Sequence, residues 1–527
     1  MASDAPREGT PSTVPQKRAI DDDHAPAVPS PLNPEPKKVH VDEATVTREK
    51  RTKKDSLKKR ESKGLPDSAR ATPDPKPGPP AELAPVRYKL AHPRPTDFDF
   101  PRGPVFTPHH EVQGPDGRAV EFYETSEHVY NKKSFHYTHC IADPTFPSIF
   151  YYRNTEPPPY GPHLSFEDAA SHMFFDRSGM HVTSDKGFRM ARANVAVREG
   201  RWYWECRVTR GILKDRKEGD PESHGHVRVG WARREASLDA PVGFDAYSYG
   251  LRDVGGQKVH MSRPKDFFPP GEAIREGDVI GLEIRLPSER LQRKIARGEY
   301  NPAIDASDEP EESQPPEVAD VIRDRIPIRF KAHIYFEKID YHTTKELEDL
   351  MNPSPSSSHP SAEPPNPNHR SPALRTLPGS YIRVYKNGML VGTPWTDLLS
   401  FLPPASRQAQ PSGGRDALDD GTLGYYPAVS VFRGGAVEVN FGPDFWFPPP
   451  EDVEMSGVPG SAGPGRLRPV SERYDEQIVE DIVYDIVDEV GFWMEDGQPA
   501  VGRPGTDGKA ETAIPGRDEI KELVQDD

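Results

Sequence analysis

Cysteine is nearly absent: Cys140 and Cys206 are the only two in 527 residues. That excludes a disulfide framework and a multi-cysteine zinc site, and it fits a reducing compartment, cytosol or nucleus. Apolar residues are scarce too, at 34%, and the mean hydropathy is -0.78. A single globule of this length needs more apolar material, so long disordered stretches around a smaller core are expected. No run of about 18 apolar residues occurs, so neither a transmembrane helix nor a membrane partner is expected. The opening residues MASDAPREGTPSTVPQKR lack the apolar stretch of a secretory signal. No GxSxG, Walker A, GxGxxG or HExxH motif stands in a fitting context. No catalytic residue, cofactor or metal is therefore expected. His136, His139 and Cys140 cluster in HYTHC, but no second Cys/His group stands at ligand spacing.

What the chain has in quantity is proline, glycine and acid. Proline and glycine number 61 and 42, and the formal net charge is -16. Most of the acidic excess lies after Glu451. Residues 1–85 read as disordered. Within them the sign reverses in Arg48–Lys63, where Lys50, Arg51, Lys53, Lys54, Lys58, Lys59 and Arg60 stand close together. Such a run is either a solvated charged segment, or it serves nuclear import or contact with DNA phosphates.

Between about Phe122 and Phe447 the pattern becomes short strands and turns. Trp202, Trp204, Cys206 and Val208 alternate with Tyr203, Glu205 and Arg207, and Val227, Val229 and Trp231 alternate with His226 and Arg228. This is period two with one buried face. Phe330–Phe336 and Val437–Phe441 alternate likewise, and Ile382–Val391 reads as a hairpin around Asn387-Gly388. Many short strands without β-helix-β alternation imply an all-β antiparallel sandwich. Residues 86–150 are read as an extension packing on it and 151–450 as the sandwich. Insertions at about 287–324, 351–378 and 403–419 are read as loops extruded from it.

Residues 451–470 read as a linker, and 471–491 as one helix with Ser471 as N-cap and Gly491 as its stop. Val479, Ile482, Val483, Ile486 and Val490 share one face, with Ile478 and Val487 at its margins and Glu480, Asp481, Asp485 and Asp488 opposite. The stripe is almost purely β-branched, a poor choice for an autonomous helix. One role for it is docking onto its own sandwich; the favoured one is insertion into a partner's groove. Residues 492–527 read as an acidic disordered tail. A second candidate surface is Arg228 on the polar side of its strand, with Phe244 and Arg252 nearby, a cation-plus-aromatic set suited to an acidic or phosphorylated peptide.

At these residues the sequence resembles a known family. Gly187–Glu205, Val227–Trp231 and Ala240–Tyr249 are similar to the SPRY domain, and more narrowly to the SPRY subunit of COMPASS-type (SET-type) histone methyltransferase complexes, the Ash-two family. Tyr335–Asp340, Tyr385–Gly388, Tyr426–Ser430, Val439–Pro443 and the closing helix Glu480–Val490 follow in the family's order. The resemblance spans about Tyr151 to Trp493, and the insertions and proline content look like a fungal member. It implies a SPRY-type sandwich in a nuclear, non-catalytic scaffold of histone-three lysine-four methylation, helping to hold a SET-domain methyltransferase subunit active. The implied partners are WD-repeat subunits at Phe188, Arg228, Pro241, Phe244 and Arg252, and a dumpy-thirty-type helical dimer at Val479, Ile482, Val483, Ile486, Val487 and Val490. Nucleosomal DNA would be met through the basic run. Phe188 and Phe244 stand where the family has tyrosines and Val254 where it has a lysine, so the patch loses two hydroxyls and a charge. A SPRY substrate adaptor of a ubiquitin ligase is the alternative.

Overall fold

The computed structural model describes residues 93–523, except 132–134, 144–151, 215–220, 306–320, 322, 324–325, 332, 340, 353–362, 403–405, 409–418, 450–465 and 497–519. The basic run Arg48–Lys63 lies outside the described residues.

Two sheets form the antiparallel sandwich. The ten-stranded one runs, in spatial order, Val105–Gln113, Ala119–Ser126, Phe174–Phe175, His181–Thr183, Ala436–Asn440, Gly200–Arg210, Val279–Leu286, Tyr381–Lys386 and Met389–Thr396, with Leu467–Pro469 lying beside Gly200–Arg210. The seven-stranded one runs Arg263–Lys265, Gln257–His260, Ser248–Arg252, His226–Arg233, Tyr425–Phe432, Arg189–Ala193 and Leu164–Ala169. A smaller five-stranded sheet contains Pro327–Phe330, His333–Ile339, Phe135–Ala142 and Tyr152–Asn154. The alternating residues meet in the core between the two large sheets. Trp204, Cys206 and Val208 face Val227, Val229 and Trp231 there, with the Trp204 and Trp231 rings edge to face at 6.2 Å. At the Asn387-Gly388 turn both residues adopt positive φ, 50° and 81°, and Lys386 pairs with Met389, the two-residue loop expected.

Several expectations are corrected. Gly200–Arg210 is buried on both faces, because Tyr203 and Glu205 are also covered. The Glu205 carboxylate accepts the backbone N–H groups of Trp446 and Phe447 at 2.7 and 2.9 Å, which folds the 445–447 segment over that side. The segment Phe330–Phe336 is not one strand. It turns at Lys331, where φ is 52°, and Phe330 pairs with His333.

The stretch 287–324 is not simply extruded. It carries helix Glu289–Arg297, whose Leu291 and Ile295 enter the main core. Ser288 Oγ caps it by accepting the Leu291 N–H, and Gly298 closes it in the left-handed region. Within 351–378, Ala373, Leu374 and Leu377 return to the buried interior. The stretch 86–150 supplies the hairpin of Val105–Gln113 and Ala119–Ser126 at one end of the ten-stranded sheet, and strand Phe135–Ala142 of the five-stranded one. The HYTHC side chains go to separate partners: His136 to Asn131, His139 to Glu167, and Cys140 into an apolar cluster.

Candidate partner-binding surfaces

Arg228 sits on strand His226–Arg233, whose neighbours Val227 and Val229 point into the core. Period two therefore sends Arg228 to the other face. It is half-buried rather than freely exposed. Register places it opposite Arg252 on one side and Ser430 on the other. Its guanidinium carbon lies 4.9 Å from the centre of the Phe188 ring, and Phe188 stacks on Phe432 at 4.6 Å. Burial, and next the adjacent positive Arg252, push the Arg228 pKa down to about 10, so it remains charged at neutral pH. Its Nε is buried and finds no hydrogen-bond acceptor among the described residues. Two like charges are thus held side by side, Arg228 on an aromatic floor, an arrangement that an incoming carboxylate or phosphate relieves.

The rim is a fixed loop. Val242 N–H donates to Ser430 Oγ at 3.0 Å, Gly243 N–H to Ser248 Oγ at 2.9 Å, and Phe244 N–H to the Pro241 carbonyl at 2.9 Å. Gly243 has φ 84°, and a Cβ there would stand 2.5 Å from the Val259 carbonyl oxygen, so the turn requires glycine. This loop leaves Phe244 44% exposed and Pro241 half-buried. Phe188, Arg228, Pro241, Phe244 and Arg252 all belong to this sheet face or its rim. Phe432, the floor under Phe188, was not anticipated; only the register of Tyr425–Phe432 against His226–Arg233 reveals it.

The C-terminal helix runs Val470–Asp496. Ser471 is inside it rather than its N-cap, and it continues past Gly491. It is not free of the sandwich. Leu467–Pro469 pairs in parallel with Arg201–Tyr203, and Val470 is buried in the main core. Arg473 donates to the Ala196 carbonyl at 2.9 Å and pairs with Glu480, while Gln477 bridges Ala196 N–H and the Asn194 carbonyl at 3.2 Å each. Further along, Arg323, 2% exposed, reaches Asp485 at 2.7 Å, Asp488 at 3.0 Å and Asp481 at 3.6 Å. Lys338 and the Arg234–Asp420 pair lie in the same buried charged layer. The acidic face is therefore the docked face. Val479, Ile482, Val483, Ile486, Val487 and Val490 point outward, each between 48 and 59% exposed. This reverses the usual polarity of a helix lying on its own domain.

At the foot of the helix the Tyr474 hydroxyl and Asn194 both donate to the Glu156 carboxylate. Burial pushes the Glu156 pKa up to about 7, with those two hydrogen bonds opposing. A raised carboxyl pKa stabilises the folded state most below its unfolded value, near 4.5, and the contribution is lost as pH rises through about 7. Amides of residues 470–480 are accordingly expected to lose hydrogen-exchange protection as pH rises from about 4.5 to about 7, and Glu156→Gln should flatten that slope. Equal slopes in the two proteins would remove Glu156 from the account.

Fold and surfaces together define a β-sandwich built to present two separate faces, one cationic and aromatic, the other an apolar helix. No family model matches the chain. COMPASS component cclA of Colletotrichum higginsianum is 64% identical over 98% of this chain and 96% of that protein. COMPASS component cclA of Aspergillus fumigatus is 41% identical over 93% and 81%. Set1 complex component ash2 of Schizosaccharomyces pombe is 39% identical over 77% of this chain and 52% of its own length. A solved human SPRY domain aligns over 98% of its length and 52% of this chain, at 13% identity and a TM-score of 0.24, too weak a likeness to carry an assignment. The chain belongs to the family of fungal COMPASS components typified by cclA.

Proposed function

We propose that the chain is a nuclear, non-catalytic scaffold of a histone-three lysine-four methyltransferase complex, acting by holding two partners at separate surfaces so that a SET domain is kept in its active arrangement. Family membership supports the complex; the named relatives are components of COMPASS and of the Set1 complex. The observation that carries the mechanism is the C-terminal helix, docked through its charged face with its Ile/Val stripe exposed. A row of β-branched residues in water is favourable only when something covers it. A helical dimer with an apolar groove fits this stripe.

The Arg228 patch takes a short acidic segment of a WD-repeat partner, with Arg228 and Arg252 supplying charge and Phe188, Pro241 and Phe244 the apolar contacts. The basic run Arg48–Lys63 serves nuclear import or DNA contact. The ubiquitin-ligase adaptor alternative has no support among the relatives.

Affinity purification from the native cell, with mass spectrometry, tests the reading. A SET-domain protein, WD-repeat proteins and a small helical dimer are expected; a ubiquitin ligase in their place overturns it. Arg228→Glu should leave the fold intact, because the side chain lies outside the core, and should weaken the WD-repeat partner about ten- to hundredfold. Titration at fixed ionic strength measures this, and an unchanged affinity removes Arg228 from the interface.

A further inference from the structure

The five-stranded sheet ends in a strand that the chain covers with its own distal residues. Pro327–Phe330 pairs antiparallel with His333–Ile339 on one side. On the other side it pairs in parallel with Lys521–Glu522, Ile328 opposite Lys521 and Arg329 opposite Glu522. The Leu523 N–H extends the ladder by donating to the Arg329 carbonyl at 2.7 Å. Ile520 packs against the cluster of Cys140, Ala142, Tyr152, Ile334 and Phe336. Leu523 packs against the cluster of Val129, Tyr137, Ile328 and Tyr335. Strand residues three apart point to opposite faces, so these two side chains grip the sheet from both sides. Between them the Glu522 carboxylate stands 3.8 Å from Arg329 Nε, and Arg329 Nη2 is held at 2.7 Å by the buried Asp97.

A two-residue ladder is among the first contacts to open, while the edge beneath it is a template for any extended chain. We propose that this edge is a strand-acceptor groove, with residues 520–523 as its resident intramolecular ligand, displaced by an extended partner segment of the same chemistry. The groove reads an apolar residue, an acidic residue two positions later against Arg329, and an apolar residue directly after it. Main-chain hydrogen bonds supply affinity, and the two apolar clusters and Arg329 supply selectivity. This inference is independent of the Arg228 patch and of the helix stripe.

The test is fluorescence anisotropy with a labelled peptide of residues 517–527. The peptide is titrated with the full chain and with the same chain ending at Asp518. It should bind the shortened chain and bind the full chain at least tenfold more weakly, because the tethered segment competes at high effective concentration. A peptide carrying Leu523→Asp should not bind. Absence of binding to the shortened chain, or equal binding to both, overturns the proposal. Should the shortened chain misfold, the full-length Ile520→Asp/Leu523→Asp chain replaces it with the same expectations. In the unmodified chain the Leu523 amide should exchange more slowly than in the free peptide; exchange at the peptide's rate overturns the proposal without any variant.

Discussion

Arg323→Ala is expected to release the middle of the C-terminal helix from the sandwich while the body stays folded. Arg323 is buried and faces Asp481, Asp485 and Asp488 on successive turns, with its guanidinium carbon 5.5 Å from the centre of the Tyr484 ring. Burial raises the Asp481 pKa, and Arg323 is the largest influence holding it down. Removing the cation takes away the positive charge nearest to the buried Asp485 and to Asp488, and breaking a buried pair from one side costs about 3–5 kcal/mol. The chain escapes most of that cost by letting this part of the helix swing into water. Hydrogen exchange of residues 478–488 should therefore accelerate by about two to three powers of ten. Residues 470–474 should change little, because they are also held by the Leu467–Pro469 pairing and by Val470 in the core. Adding Asp485→Asn and Asp488→Asn to Arg323→Ala should recover part of the protection, since neutral amides are easier to bury than carboxylates that have lost their nearest cation. Unaltered exchange in the single variant would mean that the ion cluster does not hold the helix.

The same cluster shows where sequence reading stops. Much that depends on local period was legible: the alternation that brings Trp204 and Trp231 into one core, the Asn387-Gly388 turn, and the common face of Val479, Ile482, Val483, Ile486 and Val490; the alternation over Phe330–Phe336 misled, because the chain turns at Lys331. Tyr203 and Glu205 broke the rule because a strand covered on both sides by distant chain need not alternate, and the covering residues, Phe445–Phe447, follow more than two hundred positions later. The docking of the helix through its acidic face was missed for a related reason. Glu480, Asp481, Asp485 and Asp488 look like a solvated face until a cation is placed against them. That cation, Arg323, precedes Asp485 by 162 positions, in a stretch whose charge and low apolar content suggest an extruded loop. Arg228 was identifiable as lying on a polar face; its pairing with Arg252 and the Phe188–Phe432 floor come from strand register, which spacing does not encode.

Ile486→Asp is expected to abolish binding of the helical dimer proposed as the partner of the stripe. Ile486 lies mid-stripe and is 50% exposed, so an aspartate there stays hydrated in the free chain and the fold is untouched. In the complex it would lose roughly 1 kcal/mol of side-chain burial, half the side chain being covered already, and force a carboxylate into an apolar groove at a further cost of a few kcal/mol. Together these are on the order of a thousandfold or more in affinity. Calorimetry and size-exclusion chromatography give the readout, and continued co-elution would exclude the stripe as the contact. Arg323→Ala then separates affinity from positioning. Its stripe is intact, so the dimer should still bind, but the helix that carries it is no longer fixed to the sandwich. If docking through the acidic face matters, the assembled complex containing Arg323→Ala should methylate more slowly at saturating dimer, whereas Ile486→Asp should fail at the binding step. Full activity of the Arg323→Ala complex would mean that the helix works as a flexible tether, with its docking dispensable for catalysis.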